Sequence, residues 1–262
     1  MLAGRHPGSG SPLLVGKAAA SSRRPGFDLV VSAPKGVSLL GALGDPEVRA
    51  VVVAAHDAAV AEAISYLEGS AALARRGHDG TRRLPTSGYV AAGFRHRTSR
   101  ALEPQLHTHV VVANLAHGHD GHDGHDGHDG RWSALYGRPV YAQARTAGFV
   151  YQASLRASLT ETLGLSWSEV TKGMAEPAGM DPSALAAFST RSAEILAAMA
   201  AKGSSGPKAA QVAAWATRAP KVALSPRRGC PELAWRPWTG PKPVWHPPPY
   251  WSPSDGPGTT AR

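Results

Sequence analysis

The chain has almost no cysteine: Cys230 stands alone among 262 residues. An internal disulfide is therefore excluded, and so is a zinc site built on thiolates. No run approaches the ~18 consecutive apolar residues of a membrane span. The N-terminus, MLAGRHPGSGSPLLVGKAAA, lacks the continuous apolar core of a secretion signal. A cytoplasmic protein with no membrane partner is expected. Acidic residues are scarce as well, 19 against 28 lysines and arginines, which leaves a net charge of +9. Such a balance suits a polyanion, nucleic acid first, although a GC-rich genome alone also enriches a chain in Arg, Ala, Gly and Pro.

Three stretches emerge from the distribution of these residues. Residues 1–25, rich in Gly, Ser, Pro and basic residues, read as a flexible lead-in. Residues 26–215 hold all the periodic segments and read as one α+β domain. Residues 216–262 carry half of the 22 prolines and four of the seven tryptophans, with neither helical nor strand period. They read as a disordered tail. Proline-rich ligands of aromatic-lined grooves share this composition, but translation of GC-rich DNA in a shifted frame accounts for its patternless Trp and Pro more simply.

Within the domain, Phe27–Ala33 has the branched composition of a strand, and a helix should follow from about Gly36. Asp45-Pro46 opens a second helix, with Asp as cap and Pro in the first turn. Val51, Ala54, Ala55, Val60, Ile64 and Leu67 continue it towards Arg75 at helical spacing. Residues 88–96 and 106–115 read as two strands joined as a hairpin. The repeat HGHDGHDGHDGHDG follows and reads as a mobile hairpin extension; DNA slippage explains its three-residue period as readily as metal binding does. A strand is expected near 131–135. A long helix is expected over 141–163 with Gly164 at its end, and further helices from Asp181-Pro182 and over about 189–202.

The chemistry concentrates in the predicted hairpin. His107 and His109 alternate along one strand and share a face. Pairing position 96 with 107 puts 94 opposite 109, so His96 joins that face. Three neutral imidazoles on a rigid sheet, with positions left open, suit one divalent ion in a site of catalytic type. A strand H-x-H alone is also the pattern of two unrelated surface histidines; the third histidine, in register, is what favours a site. Arg95, Arg97 and Arg100 beside His96, together with Lys35, are candidate DNA-phosphate contacts, though any one of them taken alone reads as a solvated surface charge.

The strings FDLVVSAPKGVSLL, AHDAAV, FRHRTSR, PQLHTHVVVAN and DGRWSAL, in this order and spacing, resemble the TrwC/TraI-type conjugative relaxases, the MobF group of the HUH endonucleases. The resemblance implies a palm-like antiparallel sheet flanked by helices. It implies metal-dependent, strand-specific nicking at a plasmid transfer origin, with hairpin and single-stranded DNA as partner beside other relaxosome proteins. It also implies one divalent ion (Mg, Mn, Zn or similar) on His96, His107 and His109, and a catalytic supporting carboxylate at Asp28. Members of the family attack with a tyrosine near the N-terminus. Tyr66, Tyr89, Tyr136, Tyr141, Tyr151 and Tyr250 do not stand at that position, so the nucleophile is unassigned and the first strand of the sheet is expected to be missing. The expectation is an incomplete domain with impaired nicking. The alternatives are an active relaxase with an upstream start, a non-catalytic single-stranded DNA-binding module, and a histidine-rich metal binder.

Overall fold

In the computed structural model the described residues are 2–6, 8–13, 24–119 and 128–218. Nearly all of the Pro/Trp-rich tail and the middle of the histidine repeat lie outside them.

Three strands form the central antiparallel sheet in the order β1-β5-β4: β1 (Gly26–Ser32), β4 (Ala91–Thr98) and β5 (Pro104–Ala113). Alternation divides its two faces. Leu106, Thr108, Val110 and Val112 of β5 point inwards and are buried. The residues between them point outwards. Two long helices cover the inner face, α2 (Pro46–Ala71) and α3 (Gly137–Leu163), which pack along each other. On α2 the buried positions Val52, Ala55, Ala59, Ala63 and Leu67 recur every three or four residues, and Tyr151, Leu155 and Leu159 do the same on α3. By length and composition α2 could cross a membrane. Here its apolar stripe belongs to the protein core, and Asp57 and Glu62 lie on its exposed side.

The mixed helix and antiparallel-sheet architecture is the one expected, and several boundaries follow local chemistry. Pro46 opens α2 behind Asp45, although the Asp45 side chain makes no capping bond. Gly164, left-handed at φ 65°, ends α3 and returns its N–H to the Leu159 and Thr160 carbonyls. Asp181 caps the short α4 (Pro182–Ala187) through the Ser183 amide.

Two departures are informative. The helix expected to run towards Arg75 stops at Ala71, and Leu73–Arg76 becomes strand β2, paired with β3 (Arg82–Pro85) around the positive-φ glycines Gly77 and Gly80. The segment LARR has good helix formers, and cross-strand pairing overrides that preference. At the histidine repeat, Ala116–His119 forms β6 and His128–Ser133 forms β7, pairing with each other on either side of the repeat's undescribed middle.

Two remote carboxylates fasten the segment after α3 and the C-terminal helices to this core. Glu176 accepts hydrogen bonds from the Lys35 and Gly36 amides, 3.1 and 2.6 Å, at the start of α1 (Lys35–Leu43). There it satisfies orphan donors and meets the positive end of the helix dipole. A Cβ on Gly36 would stand 2.8 Å from that carboxylate, so the glycine makes the approach possible. Glu103, in the β4–β5 turn, accepts from the amide and hydroxyl of Thr190, 2.7 and 2.6 Å, and so ties down α5 (Thr190–Ala201).

Candidate metal centre

Strand β4 pairs with β5 so that His96 faces His107 and Phe94 faces His109. The regular ladder breaks directly after His96, where the register shifts. Such irregularities re-aim side chains at the ends of strands. On the other side β1 brings Val30 opposite His109 and Asp28 opposite Val111. One outward face therefore carries His96, His107, His109 and Asp28.

The three imidazoles converge. Their ring centroids are 5.0, 5.1 and 5.3 Å apart, and one nitrogen from each lies within 4.8 Å of the others. An ion at ~2.1 Å from three nitrogens in tetrahedral directions needs them roughly 3.4 Å apart, a distance that small ring rotations supply. Among the described residues this is the one group of three or more His, Cys, Asp or Glu side chains gathered in this way.

The neighbours fix which nitrogen is available. His107 donates from Nδ1 to the Gln105 carbonyl at 2.9 Å, leaving Nε2 as its lone-pair atom. His109 donates from Nδ1 to both Asp28 oxygens at 2.9 Å and likewise presents Nε2. A carboxylate or carbonyl behind an imidazole is the usual arrangement around metal-binding histidines; it sets tautomer and ring orientation and raises basicity. The donor set therefore fits a divalent ion. Three protein ligands on one side would leave further coordination positions of a bound ion open.

The four basic residues expected around the triad do not gather there. Lys35 donates to the Pro104 carbonyl at 2.9 Å, and burial pushes its pKa down against the opposing pull of Glu103 and Glu176. Arg95 lies one residue from His96, so alternation turns it to the opposite face, where it is ion-paired with Asp57 of α2. Arg97 lines a cleft with Ser38, Gly41 and Arg49 of the first two helices. Arg100 sits at the hairpin tip beside α6 (Pro207–Ala216). Proximity in sequence is a poor guide on a strand, because adjacent residues are on different faces.

The described tyrosines have other duties. Tyr66 donates to Gln143, Tyr89 to the Leu67 carbonyl, and Tyr141 accepts from Arg24. Arg83 lies over the Tyr136 ring. Tyr151 is buried against His56. None of these interactions joins a hydroxyl to the triad.

His56 is the residue that sequence reasoning passed over. It is fully buried, and its two nitrogens lie 2.7 Å from the Tyr151 hydroxyl and 2.7 Å from the Thr108 hydroxyl. Thr108 is the residue between His107 and His109, so this pair supports the strand from beneath. The signal was a single polar residue within the buried stripe of α2. Burial, reinforced by Arg95 and His107 and opposed by Asp57, lowers the His56 pKa from 6.5 to about 4. Above pH 6.5 the imidazole is neutral in folded and unfolded chains alike. Between 6.5 and 4 the unfolded chain takes up a proton that the folded chain refuses, so stability falls as the pH drops through this window. The shift corresponds to on the order of 3 kcal/mol. Urea unfolding at pH 7.5 and pH 4 should show the parent losing about that much more than His56→Gln. Equal losses would remove His56 as the cause.

Residues 1–235 match the TrwC relaxase family. The chain is 34% identical over 227 residues to the multifunctional conjugation protein TraI of Escherichia coli; the match covers 86% of the chain and 12% of TraI, so the chain spans about an eighth of that relative's length. Among solved structures it is similar to the conjugative relaxase TrwC in complex with OriT DNA, metal-free, at 33% identity and a TM-score of 0.72, covering 86% of this chain and 75% of that one. It is also similar to TrwC with a 27-mer comprising the recognition hairpin and the cleavage site, at 34% identity and a TM-score of 0.72, covering 86% and 77%. The copper-bound TrwC–OriT complex matches at 33% and 0.69, covering 86% and 73%.

Proposed function

Because the chain belongs to the TrwC relaxase family, we propose that it recognises hairpin and single-stranded DNA at a transfer origin and holds one divalent ion on His96, His107 and His109 for strand nicking. The observation that carries this reading is the convergence of the three imidazoles on an open sheet face, with Asp28 behind His109. When bound, the ion would polarise a phosphoryl oxygen and offset charge developing on the phosphate. The residues themselves do the positioning. Asp28 and the Gln105 carbonyl hold two rings with Nε2 outward, and the sheet fixes the spacing. Imidazole nitrogens favour Mn, Co, Ni or Zn over Mg.

DNA recognition is supported by the net charge of +9 and by the DNA-bound relatives. The test compares an oligonucleotide carrying a hairpin with a single-stranded extension against an unstructured strand of equal length and composition. Fluorescence anisotropy should show the hairpin form, drawn from a panel of inverted repeats, binding at least tenfold tighter for one member. Uniform affinity across the panel would reduce the protein to a general single-strand binder.

A further inference from the structure

We infer that Trp215, with Arg100 and Arg218 around it, is a stacking platform for a base of the single strand that leaves the metal face; the inference rests on the DNA-binding reading above. A cleft of about 600 Å³ opens between the tip of the β4–β5 hairpin and α6, lined by Arg100, Arg191, Val212, Trp215 and Arg218, with no acidic side chain among the described residues of its lining. Trp215 is 78% exposed and Val212 61%. A large indole held out to solvent among three guanidinium groups lacks the surroundings of a core residue. It has those of a site where a flat ring stacks and a phosphate is neutralised beside it.

The platform is held in place. Arg191 donates to the Ala214 carbonyl at 2.7 Å and to the Thr217 carbonyl and hydroxyl at 2.9 Å, closing the last turn of α6 on both sides of Trp215. Its positive charge also suits the negative end of the helix dipole. Arg191 is further paired with Glu194, so its role is to position the helix. Arg218, beside Trp215, then stands as the cleft's phosphate contact. Glu103, three residues beyond Arg100, clasps Thr190, so the hairpin that carries His96 and His107 and the helices that carry Trp215 are anchored to each other. A strand lying across the triad and running off the hairpin tip meets this cleft next. The ligand is thus a nucleobase with its flanking phosphate, recognised by stacking and charge rather than by base-edge hydrogen bonds.

The experiment uses the full chain and a fluorescein-labelled single strand, with anisotropy at several salt concentrations. Trp215→Ala should weaken binding about tenfold or more, since a base–aromatic stack commonly contributes that much. Its salt dependence should stay that of the parent, because no charge is lost. Trp215→Phe should recover most of the affinity. Arg218→Gln should instead flatten the slope of log K against log salt by about 0.7, one phosphate contact on a single strand. As a reading independent of any variant, a bromouracil-substituted strand irradiated on the parent should crosslink to Trp215 by mass spectrometry. A Trp215→Ala protein that binds within twofold of a parent that itself binds, or a crosslink confined to other residues, overturns the platform alone. A parent that fails to bind any single strand overturns the DNA-binding reading and the platform with it.

Discussion

Replacing His96, His107 and His109 together by alanine should abolish divalent-ion binding, with affinity for Mn or Zn falling by at least a thousandfold in calorimetric titration. The size of the effect follows from geometry. The three nitrogens already lie within 4.8 Å of each other, so binding costs little for ordering them, and among the described residues no second group of three such ligands stands ready to substitute. Asp28→Asn is the finer test. Asn retains an acceptor for the His109 Nδ1 proton but loses the carboxylate charge behind the ring, and residues in this supporting position typically change metal affinity 10–100-fold. The expected order is parent, then Asp28→Asn, then the triple variant. Undiminished binding in the triple variant would move the ion to the histidine repeat at 117–130.

Affinity for single-stranded DNA should collapse with salt. Each phosphate neutralised on a single strand contributes a slope of about −0.7 in log K against log salt. If about six contacts form, raising salt from about 50 to about 200 mM should cost roughly 300-fold. The structure narrows the source of those contacts. Arg95 and Lys35 are bound to Asp57 and to the Pro104 carbonyl, so Arg95→Gln should change the slope little while lowering stability. A salt-independent affinity would mean that charge is not what brings the strand to this surface.

The histidine face was legible in the sequence because a strand has an integral period. Given two strands and a short turn, one register brings His96 opposite His107, and the structure has that register. The same arithmetic, left unapplied to Arg95, misplaced it: odd and even neighbours part to opposite faces, and a cluster of arginines in sequence became contacts scattered over Asp57, the α1–α2 cleft and α6. β2 was hidden because LARR is composed of helix formers and its strand character comes from its partner 82–85. The Glu176 and Glu103 clasps were illegible for another reason. They join residues 140 and 87 positions apart, and no local pattern marks a carboxylate that caps a distant helix. His56 lay between these cases, a polar residue in an apolar stripe whose partners, Thr108 and Tyr151, only the tertiary fold supplies.

That buried trio has a consequence for how the chain finds its fold. Strand β5 reads His-Thr-His-Val-Val-Val from 107 to 112, and a slide of one residue against its neighbours exchanges its faces. The apolar packing of Leu106, Val110 and Val112 already disfavours such a slide, because it would bring His107 and His109 into the core. The His56 pair adds to this. In a shifted register a bulky imidazole would take the place of the small Thr108 hydroxyl, and a buried polar group that loses its fitted partner costs about 1–3 kcal/mol. A hydrogen bond deep in the core thus proofreads the alignment of the strand, and the imidazoles on the far side inherit their spacing from it.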